Sequence, residues 1–268
     1  MPKVCCPVCG AVLNREGTAW RCGTGHSFDQ ARQGYVNLLP VFQKHSKQPG
    51  DTREQIAART AFLDAGYYAP IAETVCRLVL PEKPASVLDA GCGEGYYLTT
   101  LGERLPDSQL WGVDISKEAV RRASVRSKRA NWLVATAAHL PFLDGGFDCL
   151  LSMFALTAEA EFHRVLRPGS LFLQVLAGQD HLMALKRLIY PEILNRPKDL
   201  HPSLAGFRLE GSQTLEFPIA LTEPQQILNL LAMTPHWMRI TKAGADRARS
   251  AQELTDTAQV IFNCYRTI

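Results

Sequence analysis

Short apolar runs alternate with amphipathic segments through the middle of the chain. They lie in the segments SVLDAGCGEGYYLTTL (86–101), LWGVDIS (110–116), NWLVATAAHLPFLDGGFDCLLSMF (131–154) and FHRVLRPGSLFLQVL (162–176). Each run has the length of a buried strand, and residues at helical spacing lie between the runs. Strands that alternate with helices at this spacing form a mostly parallel, doubly wound sheet. The pattern therefore predicts an α/β fold with five strands in this region.

Two helices are predicted upstream of this region. A turn at 48–51 precedes the first helix, with Asp51 or Thr52 as its N-cap, and Gly66 ends it. The second helix, over about 68–80, has an apolar face that includes Ile71 and Val75. We interpret residues 41–84 as a helical linker ahead of a domain at 85–268.

The amino-acid composition limits the classes of protein to which the chain can belong. The chain has 268 residues and is 46% hydrophobic, which suffices for one full-sized domain and a small accessory module. No apolar run approaches the roughly 18 residues of a membrane span, and no signal-peptide core follows Met1. We therefore expect a cytoplasmic protein without a membrane partner. Its eight cysteines then indicate reduced thiols and metal binding rather than disulfides.

The net charge of +3 is too small to indicate nucleic-acid binding by itself. Residues 1–60 carry eight Lys and Arg against four Asp and Glu, and residues 117–130 carry six against one. For 117–130 we favour a solvated helix face over an RNA contact.

The first 26 residues contain a candidate metal site. Cys6 and Cys9 are separated by two residues, and Cys22 and His26 by three. Two short knuckles of this kind are what a tetrahedral zinc ion requires, and Cys5 is excluded because it would break the two-residue gap. Four protein ligands leave no open position, so the zinc would be structural and would supply folding free energy on the order of 10 kcal/mol.

A glycine-rich loop follows the first predicted strand and contains a candidate ligand site. Asp89 ends the strand, and the loop has Gly91, Gly93 and Gly95 ahead of a helix. Glycines at these positions let the backbone approach a ligand at the helix N-terminus. Asp114 ends the next strand, where a carboxylate can accept both hydroxyls of an adenosine ribose.

These motifs together resemble class I S-adenosylmethionine-dependent methyltransferases, on the segments D-x-G-C-G-x-G, LPF…D and LRPG. Over nearly its full length the chain also resembles the bacterial 23S rRNA guanine-N1 methyltransferase family, which includes macrolide-resistance enzymes. That resemblance rests on the cysteine and histidine module together with QGYVNLLPV, QPGD, AARTAFLDAGYY, VLDAGCGEGYY, HLMALKRLIY and MTPHW.

The resemblance implies a role for each matching residue. Zinc would be held by Cys6, Cys9, Cys22 and His26 in a module at 1–40 that recognises RNA. The candidate cofactor site already includes Asp89, Gly91 and the ribose ligand Asp114. The resemblance adds four contacts of S-adenosylmethionine, which are Tyr68, Gly93, Glu94 and His181. The implied substrate is a guanine in a hairpin of domain II of 23S rRNA. The resemblance also implies a Rossmann-like sheet with late antiparallel strands over 206–221 and 258–268. A homodimer is compatible with the resemblance.

The region after the fourth strand departs from the family pattern. Ser152 stands where the family has arginine, Leu156 replaces a proline, and Ser170 replaces the last glycine of the Arg/Lys-Pro-Gly-Gly turn. These changes leave the cofactor loop intact but affect the region of the target base. A different RNA or small-molecule target, or a non-catalytic protein that binds S-adenosylmethionine or RNA, therefore stays open. The residues identify no general base.

Overall fold

The computed structural model describes residues 2–43, 49–193 and 197–268. Gln48, the first residue of the predicted turn, lies outside the described residues. No helix within these ranges has both the length and the apolar character needed to cross a lipid bilayer.

The chain forms a large central sheet and a small N-terminal one. The small sheet is an antiparallel meander, with strands β1 (Leu13–Glu16), β2 (Ala19–Cys22) and β3 (Ser27–Asp29). The large sheet has the order β10-β11-β9-β8-β5-β6-β7-β4. Its strands are β4 (Val36–Asn37), β5 (Ser86–Ala90), β6 (Gln109–Asp114), β7 (Asn131–Val134), β8 (Phe147–Met153), β9 (Leu166–Ala177), β10 (Phe207–Leu221) and β11 (Leu254–Thr267).

Strands β4 to β9 run parallel, and β11 and β10 add antiparallel pairs at one edge. The predicted fold class, a mostly parallel Rossmann-like sheet with late antiparallel strands and a small N-terminal module, is confirmed. One detail differs, since the predicted Pro-Gly turn at 168–169 lies inside β9. The register between β8 and β9 shifts there, which accommodates the proline at an irregular point of the ladder.

Helices cover both faces of the large sheet. They are α1 (Arg53–Asp64), α2 (Ala69–Val79), α3 (Tyr96–Glu103), α4 (Lys117–Arg126), α5 (Glu159–Val165), α6 (Met183–Ile189), α7 (Pro224–Ala232) and α8 (Lys242–Ser250). Helices α1 to α4 and α6 to α8 contribute to the core on one face, while α5 and the N-terminal module contribute to the core on the other.

Local sequence explains where α1 begins and ends. Thr52, one of the two predicted N-caps, accepts a hydrogen bond from the backbone N–H of Gln55, and the Gln55 side chain accepts one from the N–H of Thr52. This reciprocal pair satisfies two N–H groups that the first turn leaves unpaired. The chain reverses at Gly66, which has a φ of +84°.

The N-terminal module packs against the large sheet. The Cys5 N–H donates to the carbonyl of Pro141, and Lys128 Nζ donates to the carbonyl of Gln33. The rings of Trp20 and Trp111 meet edge to face at 6.5 Å. The module therefore shares an apolar core with the domain, so its stability comes from this packing as well as from its metal ligands.

Candidate cofactor and zinc sites

The loop between β5 and α3 is built by three glycines in the left-handed region, with φ of +89° at Gly91, +54° at Gly93 and +81° at Gly95. The Gly91 N–H donates to the carbonyl of Val113 at 2.8 Å, which ties the loop to β6. A Cβ on Gly91 would lie 2.7 Å from the Cβ of Ala155. The loop therefore needs glycine here both for its backbone angle and for its close approach to the segment after β8.

Asp114 holds this loop in place from the end of β6. One carboxylate oxygen accepts from the Gly93 N–H at 2.9 Å, and the other accepts from the Ser116 N–H at 2.8 Å. Burial raises the pKa of Asp114 above its usual value, although these two hydrogen bonds act in the opposite direction. Each oxygen keeps a lone pair, so the carboxylate can still accept from the hydroxyls of a ribose.

Two further carboxylates in this region lack hydrogen-bond partners among the described residues. Asp89 is fully buried with both oxygens unpaired, and one oxygen of the buried Glu94 is unpaired. Burial raises the pKa of Asp89 to about 8, and the charges of Asp114 and Glu94 add to the effect. Burial raises the pKa of Glu94 as well. Buried polar oxygens are normally paired, so these fit a ligand that carries donors, as the ribose and the ammonium group of S-adenosylmethionine do. The positive charge of an ammonium group would also favour the ionised form that accepts from it.

Arg59 is a residue of this site that the sequence analysis missed. Its Nη2 donates to the Asp51 carboxylate at 2.6 Å, and its Cδ lies 3.9 Å from where a Cβ on Gly93 would be. Burial lowers the pKa of the guanidinium, but Asp51, Glu94 and Asp114 outweigh this and leave it raised. A lone arginine among the alanines of AARTAFL was the only available signal.

Tyr68, Phe154 and His181 form an aromatic cluster next to the loop. Nδ1–H of His181 donates to the carbonyl of Gln259 at 2.9 Å, so Nε2 is the acceptor for the Tyr68 hydroxyl at 3.2 Å. The Phe154 ring centroid lies 6.3 Å from that of Tyr68 and 6.1 Å from that of His181. Burial lowers the pKa of His181 to about 4, which keeps the imidazole neutral.

The segment after β8 contains the residues that depart from the family pattern. Ser152 is buried and its hydroxyl is unpaired among the described residues, whereas Leu156 is 76% exposed. Between them, Phe154 has a φ of +54°, a strained angle for a non-glycine residue. Such strain is commonly held at functional sites, and here it turns the chain beside the cofactor loop.

The four predicted metal ligands come together in the N-terminal module. The ligand atoms of Cys6, Cys9, Cys22 and His26 all lie within 4.8 Å of one another. The two sulfurs of Cys9 and Cys22 are 3.8 Å apart. A tetrahedral site with Zn–S bonds of about 2.3 Å separates its sulfurs by about 3.8 Å, so the cluster fits zinc.

Two backbone turns create this arrangement. The Gly10 N–H donates to the carbonyl of Cys6, and the Gly25 N–H donates to the carbonyl of Cys22. Gly10 and Gly25 have φ of +74° and +93°, so each knuckle turns through a conformation that favours glycine. Hydrogen bonding from Thr24 lowers the pKa of Cys22 to about 6, which favours the thiolate that a metal binds.

Most basic residues of 117–130 donate hydrogen bonds to other groups of the protein. Arg126 donates to Asp64 and to the carbonyl of Glu94, and it lies 5.7 Å from the centre of the Tyr96 ring. Arg129 donates to the carbonyls of Gly102 and Pro106. Arg126 and Arg129 therefore bind other parts of the fold, whereas the sequence pattern predicted a solvated helix face for this stretch.

Fold and site together define a class: a methyltransferase domain joined to an N-terminal zinc ribbon. A family model described as "RlmA, N-terminal" matches residues 4–47 and is a zinc ribbon, and one described as "Methyltransferase domain" matches residues 87–169. S-adenosylmethionine and structural zinc are the cofactors of this class.

Curated relatives identify the family. A protein of Micromonospora griseorubida named "Putative 23S rRNA (guanine-N(1)-)-methyltransferase" is 35% identical over 100% of this chain and 98% of its own length. YxjB of Bacillus subtilis, with the same description, is 31% identical over 86% of this chain and 85% of its own length. The chain belongs to the family of 23S rRNA (guanine-N1)-methyltransferases, as the resemblance implied.

A third relative is more similar over a shorter stretch. The 23S rRNA (guanine(748)-N(1))-methyltransferase of Streptomyces fradiae is 42% identical over 67% of this chain. This alignment spans 65% of the relative, slightly less than two thirds of its length.

Proposed function

We propose that the chain transfers a methyl group from S-adenosylmethionine to N1 of a guanine in 23S rRNA. The observation that carries this proposal is the full-length alignment with a relative of that name, which includes both the zinc ribbon and an intact glycine loop. The name of the Streptomyces fradiae relative supports a guanine as the target base.

The cofactor residues are proposed on their chemistry. S-adenosylmethionine, when bound, supplies a methyl group on a positively charged sulfur. Asp114 would accept from the ribose, the loop glycines would let the backbone approach the ligand, and Asp89 and Glu94 would accept from its donors. Tyr68 and His181, which form one hydrogen-bonded pair, would line the same pocket.

We propose that a residue other than His181 removes the N1 proton. Its Nδ1 donates to a backbone carbonyl and its Nε2 accepts from Tyr68, so neither nitrogen is free to accept a proton. Its lowered pKa also makes it a weak base. We propose that His181 orients Tyr68 and excludes water.

We propose that the ribbon, with Cys6, Cys9, Cys22 and His26 as its zinc ligands, helps to bind rRNA. The target would be a hairpin loop in domain II, where a base can be turned out of its stack. Phe154 lies half-buried beside the cofactor loop and would stack on that base. Ser152 and Leu156 would alter how the pocket recognises the base.

We propose a zinc-binding module at 1–40, a helical linker at 41–84 and a methyltransferase domain at 85–268. Residues 36–37 form an edge strand of the large sheet, so the module and the domain are continuous there. We also propose a homodimer and a cytoplasmic location, where 23S rRNA is found.

The test is methyl transfer from radiolabelled S-adenosylmethionine to protein-free 23S rRNA, with primer extension to map the product. We expect a stop at one guanine of a domain II hairpin, because N1-methylation blocks base pairing. Asp114→Ala serves as the control: it should fold but lose transfer, since the carboxylate holds Gly93 and would accept from the ribose.

Other outcomes would identify the alternatives. Labelling at another position would mean that the Ser152 region has changed the target. Binding of S-adenosylmethionine without labelled RNA, together with RNA affinity that does not fall with salt, would favour a small-molecule substrate. Binding of both ligands without transfer would favour a non-catalytic protein.

A further inference from the structure

Arg59 lies on the side of α1 that faces the cofactor loop, and its guanidinium is held from one end only. Nη2 donates to the carboxylate of Asp51 at 2.6 Å and to the carbonyl of Met233 at 3.4 Å. Asp51 is itself fixed, because its backbone carbonyl accepts from the Ser116 hydroxyl at 2.7 Å. These contacts orient the side chain without using its other donors.

The Nε–H of Arg59 is buried and unpaired among the described residues. Nε is bonded to Cδ, which lies 3.9 Å from the position of a Cβ on Gly93. This donor is therefore adjacent to the glycine loop. An unpaired buried N–H is unfavourable, so it fits a place where a ligand supplies the acceptor.

The unpaired groups around the loop carry both signs of charge. The nearby Glu94 has one buried oxygen without a partner, and it forms no ion pair with Arg59 within the described ranges. A cation and an anion that face one loop without contacting each other are complementary to a zwitterion. The amino-acid end of S-adenosylmethionine, with its carboxylate and ammonium groups, is a zwitterion.

We propose that Arg59 binds the α-carboxylate of S-adenosylmethionine through Nε–H and so sets the depth of the cofactor in its pocket. The assignment rests on the proposed function, because it takes S-adenosylmethionine as the ligand. Arg59 is suited to the role because a guanidinium stays charged when buried and offers its donors in a fixed plane. Asp51 acts as the positioning residue for Arg59.

The experiment compares two ligands by calorimetry: S-adenosylhomocysteine and its decarboxylated analogue, which lacks only the carboxylate. Arg59→Gln should weaken binding of S-adenosylhomocysteine about 10- to 100-fold, as expected for a charge-assisted hydrogen bond. It should change binding of the analogue by less than about threefold, since the analogue cannot use this contact. Arg59→Lys, which keeps the charge but lacks the planar donor group, should fall between the two.

Two further arginines provide matched controls. Arg53 is exposed on the same helix, so Arg53→Gln tests for a general effect on α1 and should change neither affinity. Arg126 also has a buried donor near Glu94 that no described residue pairs, so Arg126→Gln tests the alternative anchor. Thermal unfolding of every variant verifies that it is folded.

The outcomes separate this inference from the function on which it rests. Equal weakening of both ligands by Arg59→Gln, or no weakening, would overturn the inference. A selective loss in Arg126→Gln instead would assign the carboxylate to the other arginine. Failure of the unsubstituted chain to bind S-adenosylhomocysteine would overturn the proposed function and the inference together. Selective loss without RNA methylation would support the inference and refute only the substrate.

Discussion

Substituting Gly91 with alanine should destabilise the protein through two separable effects. The residue has a φ of +89°, which alanine adopts only at a cost of about 1–2 kcal/mol. The added Cβ would also lie 2.7 Å from the Cβ of Ala155, and overpacking of this kind costs about 1–3 kcal/mol. Gly91→Ala should therefore lower the free energy of unfolding by about 2–5 kcal/mol.

Gly145 separates the two effects. It has a φ of +59°, and no atom of the part of the chain that the structure describes lies within 4 Å of an added Cβ, so Gly145→Ala should lose only the backbone contribution of about 1–2 kcal/mol. Ala155→Gly removes the methyl group opposite Gly91. The double variant Gly91→Ala/Ala155→Gly should therefore recover most of the overpacking cost but none of the backbone cost.

The assay is equilibrium unfolding in urea for both single variants, the double variant and Gly145→Ala. Calorimetry with S-adenosylhomocysteine should show weaker binding by Gly91→Ala, because the clash displaces the loop that Asp114 holds. If Gly91→Ala costs no more than Gly145→Ala, the close approach of the two segments does not exist. If the double variant recovers nothing, the clash is with some other group.

Two further predictions concern the ribbon and the buried imidazole. The purified chain should contain one zinc ion per molecule, and Cys22→Ser should remove it and shift Trp20 fluorescence to longer wavelength as the ribbon opens. For His181, a folded-state pKa of about 4 against the usual 6.5 means that the folded state binds fewer protons in this window. Stability relative to His181→Gln should therefore be fully present above pH 6.5 and lost as the pH falls towards about 4.

Each of these has a control. Cys5→Ser should keep the zinc, because Cys5 lies outside the four-residue cluster; loss of zinc in this variant would contradict the choice of Cys6. For the imidazole, the control is substitution of the exposed His139 by glutamine, which removes a histidine that lies outside the buried cluster. A His181→Gln variant with the same pH profile as the unsubstituted chain would show that His181 is not buried in neutral form.

Features that depend on near neighbours were predictable from the sequence. The zinc ligands lie in two knuckles of four and five residues, and glycines set the backbone turns, so spacing alone indicated the site. The same holds for the glycine loop, the N-cap of α1 and the strands of the parallel sheet. In each case the signal itself lies within about ten residues, although the two knuckles and the parallel strands then meet over longer separations.

Tertiary structure decided the contacts that join distant segments. Tyr68 and His181 are 113 residues apart and meet through one hydrogen bond. Arg59 is oriented by the nearby Asp51, but it lies beside Gly93 of a separate loop, so no local pattern could reveal that it faces the cofactor loop. Spacing also could not reveal that buried oxygens of Asp89 and Glu94 have no hydrogen-bond partner among the described residues. Burial and pairing depend on how helices and loops from separate parts of the chain pack over the sheet.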